Sequence, residues 1–118
     1  MPKFDPQRRI TAAAALARLP GPNGQRFVEL FTRGTLGVEF YAPRGHDPQP
    51  PHTRDEAYIV VTGSGEYVLN DERQPFGPGD FLFAPAGAAH RFENFTDDLG
   101  VWVIFYRPEG GENSKQRQ

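Results

Sequence analysis

From Gln25 to Tyr106 the chain reads as short runs of alternating side chains, each closed by a turn signal, and that rhythm points to an all-β sandwich or barrel. Residues 26–31 and 35–41 read as two strands joined at Thr32-Arg33-Gly34 in a hairpin. In the second, Leu36, Val38 and Phe40 share one face and Gly37, Glu39 and Tyr41 the other, because strand side chains alternate. Residues 56–62 continue the pattern, with Glu56, Tyr58, Val60 and Thr62 opposite Ala57, Ile59 and Val61. Gly63-Ser64-Gly65 turns into 66–69, and Asn70-Asp71-Glu72-Arg73 turns into 74–76. Pro78-Gly79 suits a type II turn, since proline fixes φ and glycine accepts φ > 0; residues 80–84 then read as strand. Past the bend at Pro85-Ala86-Gly87, residues 90–94 put His90, Phe92 and Asn94 on one face. Residues 101–106 are apolar on both faces, as in a strand buried on both. The 13 glycines and 12 prolines agree with many short strands and turns. Those of the segment 42–51 make it an edge or a bulged approach, because proline cannot donate a ladder hydrogen bond.

At 118 residues the chain is one domain with a modest core. Its expected organisation is an N-terminal arm and short helix (1–24), a β-barrel (25–108) and a disordered polar tail (109–118). Thr11 is placed to cap a helix over 12–19, and Pro20-Gly21-Pro22-Asn23-Gly24 stops it. That helix is expected on the barrel surface or against a partner chain. A hydrophobic content of 37%, with ten phenylalanines, excludes global disorder. A net charge of −2 argues against gripping nucleic acid through its phosphates. Without cysteine there is no disulfide framework, thiolate nucleophile or thiolate-bound zinc. The polar, proline-broken start is not expected to be a secretory signal, and the longest apolar runs, 12–17 and 101–106, are too short to span a bilayer. The expectation is a soluble cytoplasmic protein with no nucleic-acid or membrane partner.

The chemistry gathers in two stretches. In the first, Gly45 to Gly63, His52 lies four residues before Glu56; in the second, Gly77 to Asn94, His90 stands near the end. Neutral imidazole and carboxylate together suit a divalent transition metal. Two histidines and one carboxylate with open positions are the ligand set of non-haem iron oxygenases and resemble catalytic zinc sites. The three residues lie on or beside strands, which hold ligands more rigidly than loops do. A structural reading stands beside this one: His90 as a hydrogen-bonded core histidine, and Glu56 paired on the surface with Arg54 or Arg73.

Gly79, Pro85, Gly87, His90 and Asn94 match the pattern G-x5-P-x-G-x2-H-x3-N at every position, and His52, Glu56 and Gly63 match the end of G-x5-H-x-H-x3,4-E-x6-G. On these residues the chain resembles the cupin superfamily, in particular its small single-domain bacterial members. The resemblance implies a conical β-barrel (a double-stranded β-helix or jelly roll) with a metal inside, often as a dimer, and a homodimer is expected here. One departure matters: the first histidine of the H-x-H pair falls at Pro50, which cannot ligate. The ligand set is then His52, Glu56 and His90, with Gln49 as a candidate fourth through its amide oxygen, and His46, at the rim, a weaker one. The implied metal is one divalent ion of iron, manganese, nickel or zinc. The implied activity is dioxygenase, isomerase, decarboxylase or lyase chemistry on a small organic molecule. Glu56, as ligand or general base, and Tyr58, a phenol that needs a partner if buried, are the candidate catalytic residues. Tyr58, Val60 and Phe92 are expected in the pocket wall, with Phe83, Trp102 and Ile104 as further candidates. Arg26, Glu39 and Tyr41 join them if their strand faces inward, which periodicity alone leaves open. The alternative function is a non-enzymatic module that binds a small molecule, with or without metal; a one-chain transcription factor is not expected.

Overall fold

One short helix precedes eight strands in the computed structural model, which describes residues 9–106 and Gly110. The arm expected before Arg9 and the tail expected from Glu109 lie outside the described residues, Arg9 and Gly110 aside. Helix α1 (Ala12–Leu16) starts as expected: the Thr11 hydroxyl accepts a hydrogen bond from the Ala14 amide at 3.1 Å. It ends three residues early. Arg18 and Leu19 bond back to Ala15 and Leu16 in a tightened turn, because Leu19 precedes a proline and is driven out of the α region.

The strands are β1 (Phe27–Arg33), β2 (Leu36–Tyr41), β3 (Asp55–Thr62), β4 (Gly65–Leu69), β5 (Glu72–Phe76), β6 (Phe81–Ala84), β7 (His90–Glu93) and β8 (Gly100–Tyr106). They form a five-stranded sheet in the order β1-β2-β8-β3-β6 and a three-stranded sheet in the order β5-β4-β7. The two face each other as in a jelly roll, and no ladder among the described residues joins them into a closed cylinder. β5 begins two residues before the expected start, since Leu69 pairs with Glu72 across a two-residue turn. Its Pro75 is tolerated because β5 is an edge strand. β7 ends at Glu93, as Asn94 turns to φ 52° and leaves the alternation.

The core lies between the sheets. Tyr41, Tyr58, Val60, Val101, Val103 and Phe105 of the larger sheet meet Tyr67, Phe76 and Phe92. Phe92 is the hub: its ring lies 5.0 Å from Tyr58, 5.4 Å from Phe76 and 5.7 Å from Tyr67, in tilted or edge-on geometry. Outside the larger sheet, Ala15 of α1 packs on Phe40 and Ala42 with Val61 and Trp102 beside them. This settles which way β2 faces: Leu36, Val38 and Phe40 point outward, and Gly37, Glu39 and Tyr41 inward. β8 is buried on its inner face and only half-buried on its outer one, not fully buried on both as its composition suggests. Register then sets the inner rows. Glu39, Val103 and Tyr58 stand abreast, and Gly37, Phe105 and Glu56 form the next row. Among the described residues no helix is long and apolar enough to cross a membrane.

Candidate metal centre

Three separate parts of the chain converge on one point. His52 lies in the loop before β3, three residues ahead of Asp55, Glu56 is the second residue of β3, and His90 opens β7 on the facing sheet. His52 Nδ1 lies 2.8 Å from Glu56 Oε1, and His90 Nε2 lies 3.1 Å from the same oxygen. The three ligand atoms fall within 4.8 Å of one another. Glu56 and His90 are almost fully buried, 1% and 4% exposed. The separations are those of hydrogen bonds, yet none of the three atoms has a partner in hydrogen-bonding geometry. Buried polar atoms left this way are costly, by about 1–3 kcal/mol each. Donor atoms that converge without bonding one another suit a shared cation. A second feature supports the fit. His90 Nδ1 stands 2.9 Å from the Ala88 carbonyl. A carbonyl only accepts, so Nδ1 carries the proton and the Nε2 lone pair is left for the site.

The electrostatics suit the same role. Burial works to raise the Glu56 pKa, but His52, His90 and Tyr58 beside it more than offset this and lower it to about 2. Burial works to lower the His90 pKa, and Glu56 together with the Ala88 carbonyl raises it on balance. Burial, and next the Glu56 charge, pushes the Tyr58 phenol well above its ordinary value, so it stays a donor. It gives its hydrogen bond to Gln49 Oε1 at 3.2 Å.

A cavity of about 790 Å³ opens over His52 and Glu56, with Arg26, Glu39, Tyr41 and Gln49 among its polar walls and Val103 and Phe105 among its apolar ones. His46 sits exposed on the same rim and outside the ligand cluster. Pro50, where the resemblance places a histidine, also lines the cavity. The expected wall differs in part. Trp102 packs under α1, and Ile104 and Phe83 share that outer side by register, so β8 offers Val103 and Phe105 instead. Tyr58, Val60 and Phe92 do face inward, but they are packed into the aromatic core rather than left along the cavity. Glu39, on the wall, has its pKa raised to about 7, first by burial and then by the charges of Glu56 and Glu29, against the smaller pull of His52 and Arg54.

Asp47 is the residue that sequence reasoning missed. Its carboxylate accepts from the Tyr41 hydroxyl, from the Gln49 backbone N–H at 3.3 Å, from Gln49 Nε2 at 2.8 Å and from the Phe92 N–H at 2.8 Å. It thus ties the loop to β2 and to the open edge of β7. Nothing in its spacing separates it from an ordinary turn aspartate beside a proline.

The family model for the cupin domain matches residues 37–106. An uncharacterized protein of Streptomyces coelicolor is 40% identical over 89 residues, which cover 74% of this chain and 85% of that one. A glucose-6-phosphate isomerase of Thermococcus kodakarensis is 29% identical over 85 residues, covering 68% of this chain but only 44% of the isomerase. A solved Cupin 2 conserved barrel domain protein from Salinispora arenicola superposes with a TM-score of 0.62 at 26% identity, covering 77% of this chain and 82% of its own.

Proposed function

The chain belongs to the cupin family, and from that premise we propose that it is a metal-dependent enzyme acting on a small organic molecule in its cavity, with isomerase chemistry favoured over dioxygenase or lyase chemistry. The observation that carries this reading is the convergence of His52 Nδ1, Glu56 Oε1 and His90 Nε2, unpartnered and buried, beside a cavity of about 790 Å³. A divalent metal held by these residues would supply Lewis-acid polarisation of a substrate oxygen.

The remaining steps belong to the chain's own groups. Glu56, held ionised at about 2, serves as a ligand and is a poor base near neutrality. Tyr58 keeps its proton and uses it to hold Gln49 Oε1 at the cavity wall. Glu39, half-buried on the cavity wall, is placed to take a proton from a bound molecule and return it, the exchange an isomerisation needs. Arg26 is held at the wall by a hydrogen bond from Nε to the Ala42 carbonyl at 2.8 Å, a position suited to an anionic substituent. These features, with the similarity to an isomerase of a sugar phosphate, favour a hydroxylated organic anion as substrate. The protein is further read as a homodimer formed through the outer face of the larger sheet.

Elemental analysis of the protein purified without added metal, beside His52→Ala, tests the reading. Near-stoichiometric iron, manganese, nickel or zinc, lost in the variant, followed by interconversion of aldose and ketose phosphates, is the expected result. No metal, even after reloading, would sink it. Stabilisation by such compounds without turnover would instead make the protein a binding module.

A further inference from the structure

The loss of a histidine at position 50 leaves the question of what completes the metal's surroundings. The loop offers one neutral oxygen in the right wall. Gln49 lines the same cavity as His52 and Glu56. Its two side-chain ends are told apart by their partners. Nε2 donates to Asp47 Oδ2 at 2.8 Å, and Oε1 accepts from the Tyr58 hydroxyl at 3.2 Å, beside Glu56. An amide bonded this way cannot flip without setting donor against donor at Tyr58 and acceptor against acceptor at Asp47. Its oxygen therefore faces the Tyr58 and Glu56 side, with one lone pair to spare.

Asp47 is itself excluded as a ligand. A carboxylate has about four acceptor positions, and Asp47 takes four hydrogen bonds, from Tyr41, from Gln49 twice and from Phe92. Three of those donors are fixed by β2, by β7 and by the loop backbone, so the fourth, Gln49 Nε2, is held in a frame set by both sheets.

We propose that Gln49 Oε1 is the fourth protein ligand of the metal site, standing in for the histidine absent at Pro50, and that Asp47 is the positioning residue that turns that oxygen inward. This rests on the metal-site reading above. An alanine at position 47 removes the acceptor that holds Gln49 Nε2. The amide then loses the bond that fixes its orientation, and its oxygen is no longer held toward the site.

The test uses the full chain, stripped of metal and titrated with Co²⁺. Calorimetry reads affinity, and visible absorption reads coordination. Asp47→Ala should weaken Co²⁺ binding by about 10- to 100-fold, the usual effect of removing a residue behind a ligand, and should change the cobalt spectrum. Gln49→Ala should give a similar loss, and the Asp47→Ala/Gln49→Ala double variant should bind no more weakly than the worse single one. If the Asp47 variants fail to fold, Gln49→Ala decides alone. Wild-type affinity and spectrum in Gln49→Ala would overturn the inference while leaving the three-residue site standing. A wild-type chain that takes up no Co²⁺ would overturn both.

Discussion

His90 has both ring nitrogens committed, Nδ1 to the Ala88 carbonyl and Nε2 to the site. Its replacement should therefore act on metal before it acts on fold. His90→Ala is expected to fall from about one metal per chain to almost none by elemental analysis, with an unchanged far-ultraviolet circular dichroism spectrum. Glu39 makes a second prediction, in the metal-free protein. Its folded pKa, about 7, is raised above an ordinary 4.5, so folding favours the neutral carboxyl. Its contribution to stability is fully present below 4.5 and is lost as pH rises from 4.5 through 7. Glu39→Gln lacks this titration. In urea unfolding it should match the parent near pH 4 and exceed it near pH 8 by roughly 1–3 kcal/mol. Equal pH profiles for the two proteins would show that Glu39 is not raised.

Two turn glycines separate the elements by different physics. Gly63, between β3 and β4, has φ +91°, and a Cβ there would meet the Leu99 Cα at 2.6 Å and the Thr96 hydroxyl at 2.9 Å. Gly79, before β6, has φ +89°, but a Cβ there would meet nothing within 4 Å. Gly79→Ala should lose only the conformational term, about 1–2 kcal/mol. Gly63→Ala adds a clash with backbone that cannot swing away, and should lose about 3 kcal/mol or more. Thermal unfolding of the pair checks the difference, and equal losses would refute the packing argument. Both glycines were legible in the sequence as turn positions matching the cupin pattern. The clash was not, because Leu99 lies 36 residues along the chain from Gly63.

At the scale of the whole molecule, the larger sheet has an outer face that α1 covers only in part. Ile59 and Ile104 are half-buried there, and Phe81, abreast of Ile59, is 62% exposed. On the homodimer proposal this is the face that would pair, because burying exposed apolar surface favours association and a closed dimer through one shared face is the commonest symmetric solution. Phe81→Asp should shift the protein from dimer to monomer in light scattering while leaving metal content unchanged, since Phe81 points away from the site. A parent chain that is monomeric at all concentrations would end the dimer proposal.

The alternating runs, the turns and the His52, Glu56 and His90 positions could be read without coordinates, because strand period, turn residues and ligand chemistry are local properties. Local order cannot say which side of a strand is inside. Glu39 and Tyr41 belong to the cavity only because α1 packs against Phe40 on the other face. Trp102 fell outside and Val103 inside for the same reason, since an apolar strand carries no parity signal of its own. Asp47 was invisible because its role rests on a bond to the Phe92 amide, 45 residues away and on the other sheet. Sequence alone determined an all-β chain with the residues for a metal site. Tertiary structure decided which side chains meet there, because hydrogen bonds between distant segments form only after the two sheets face each other.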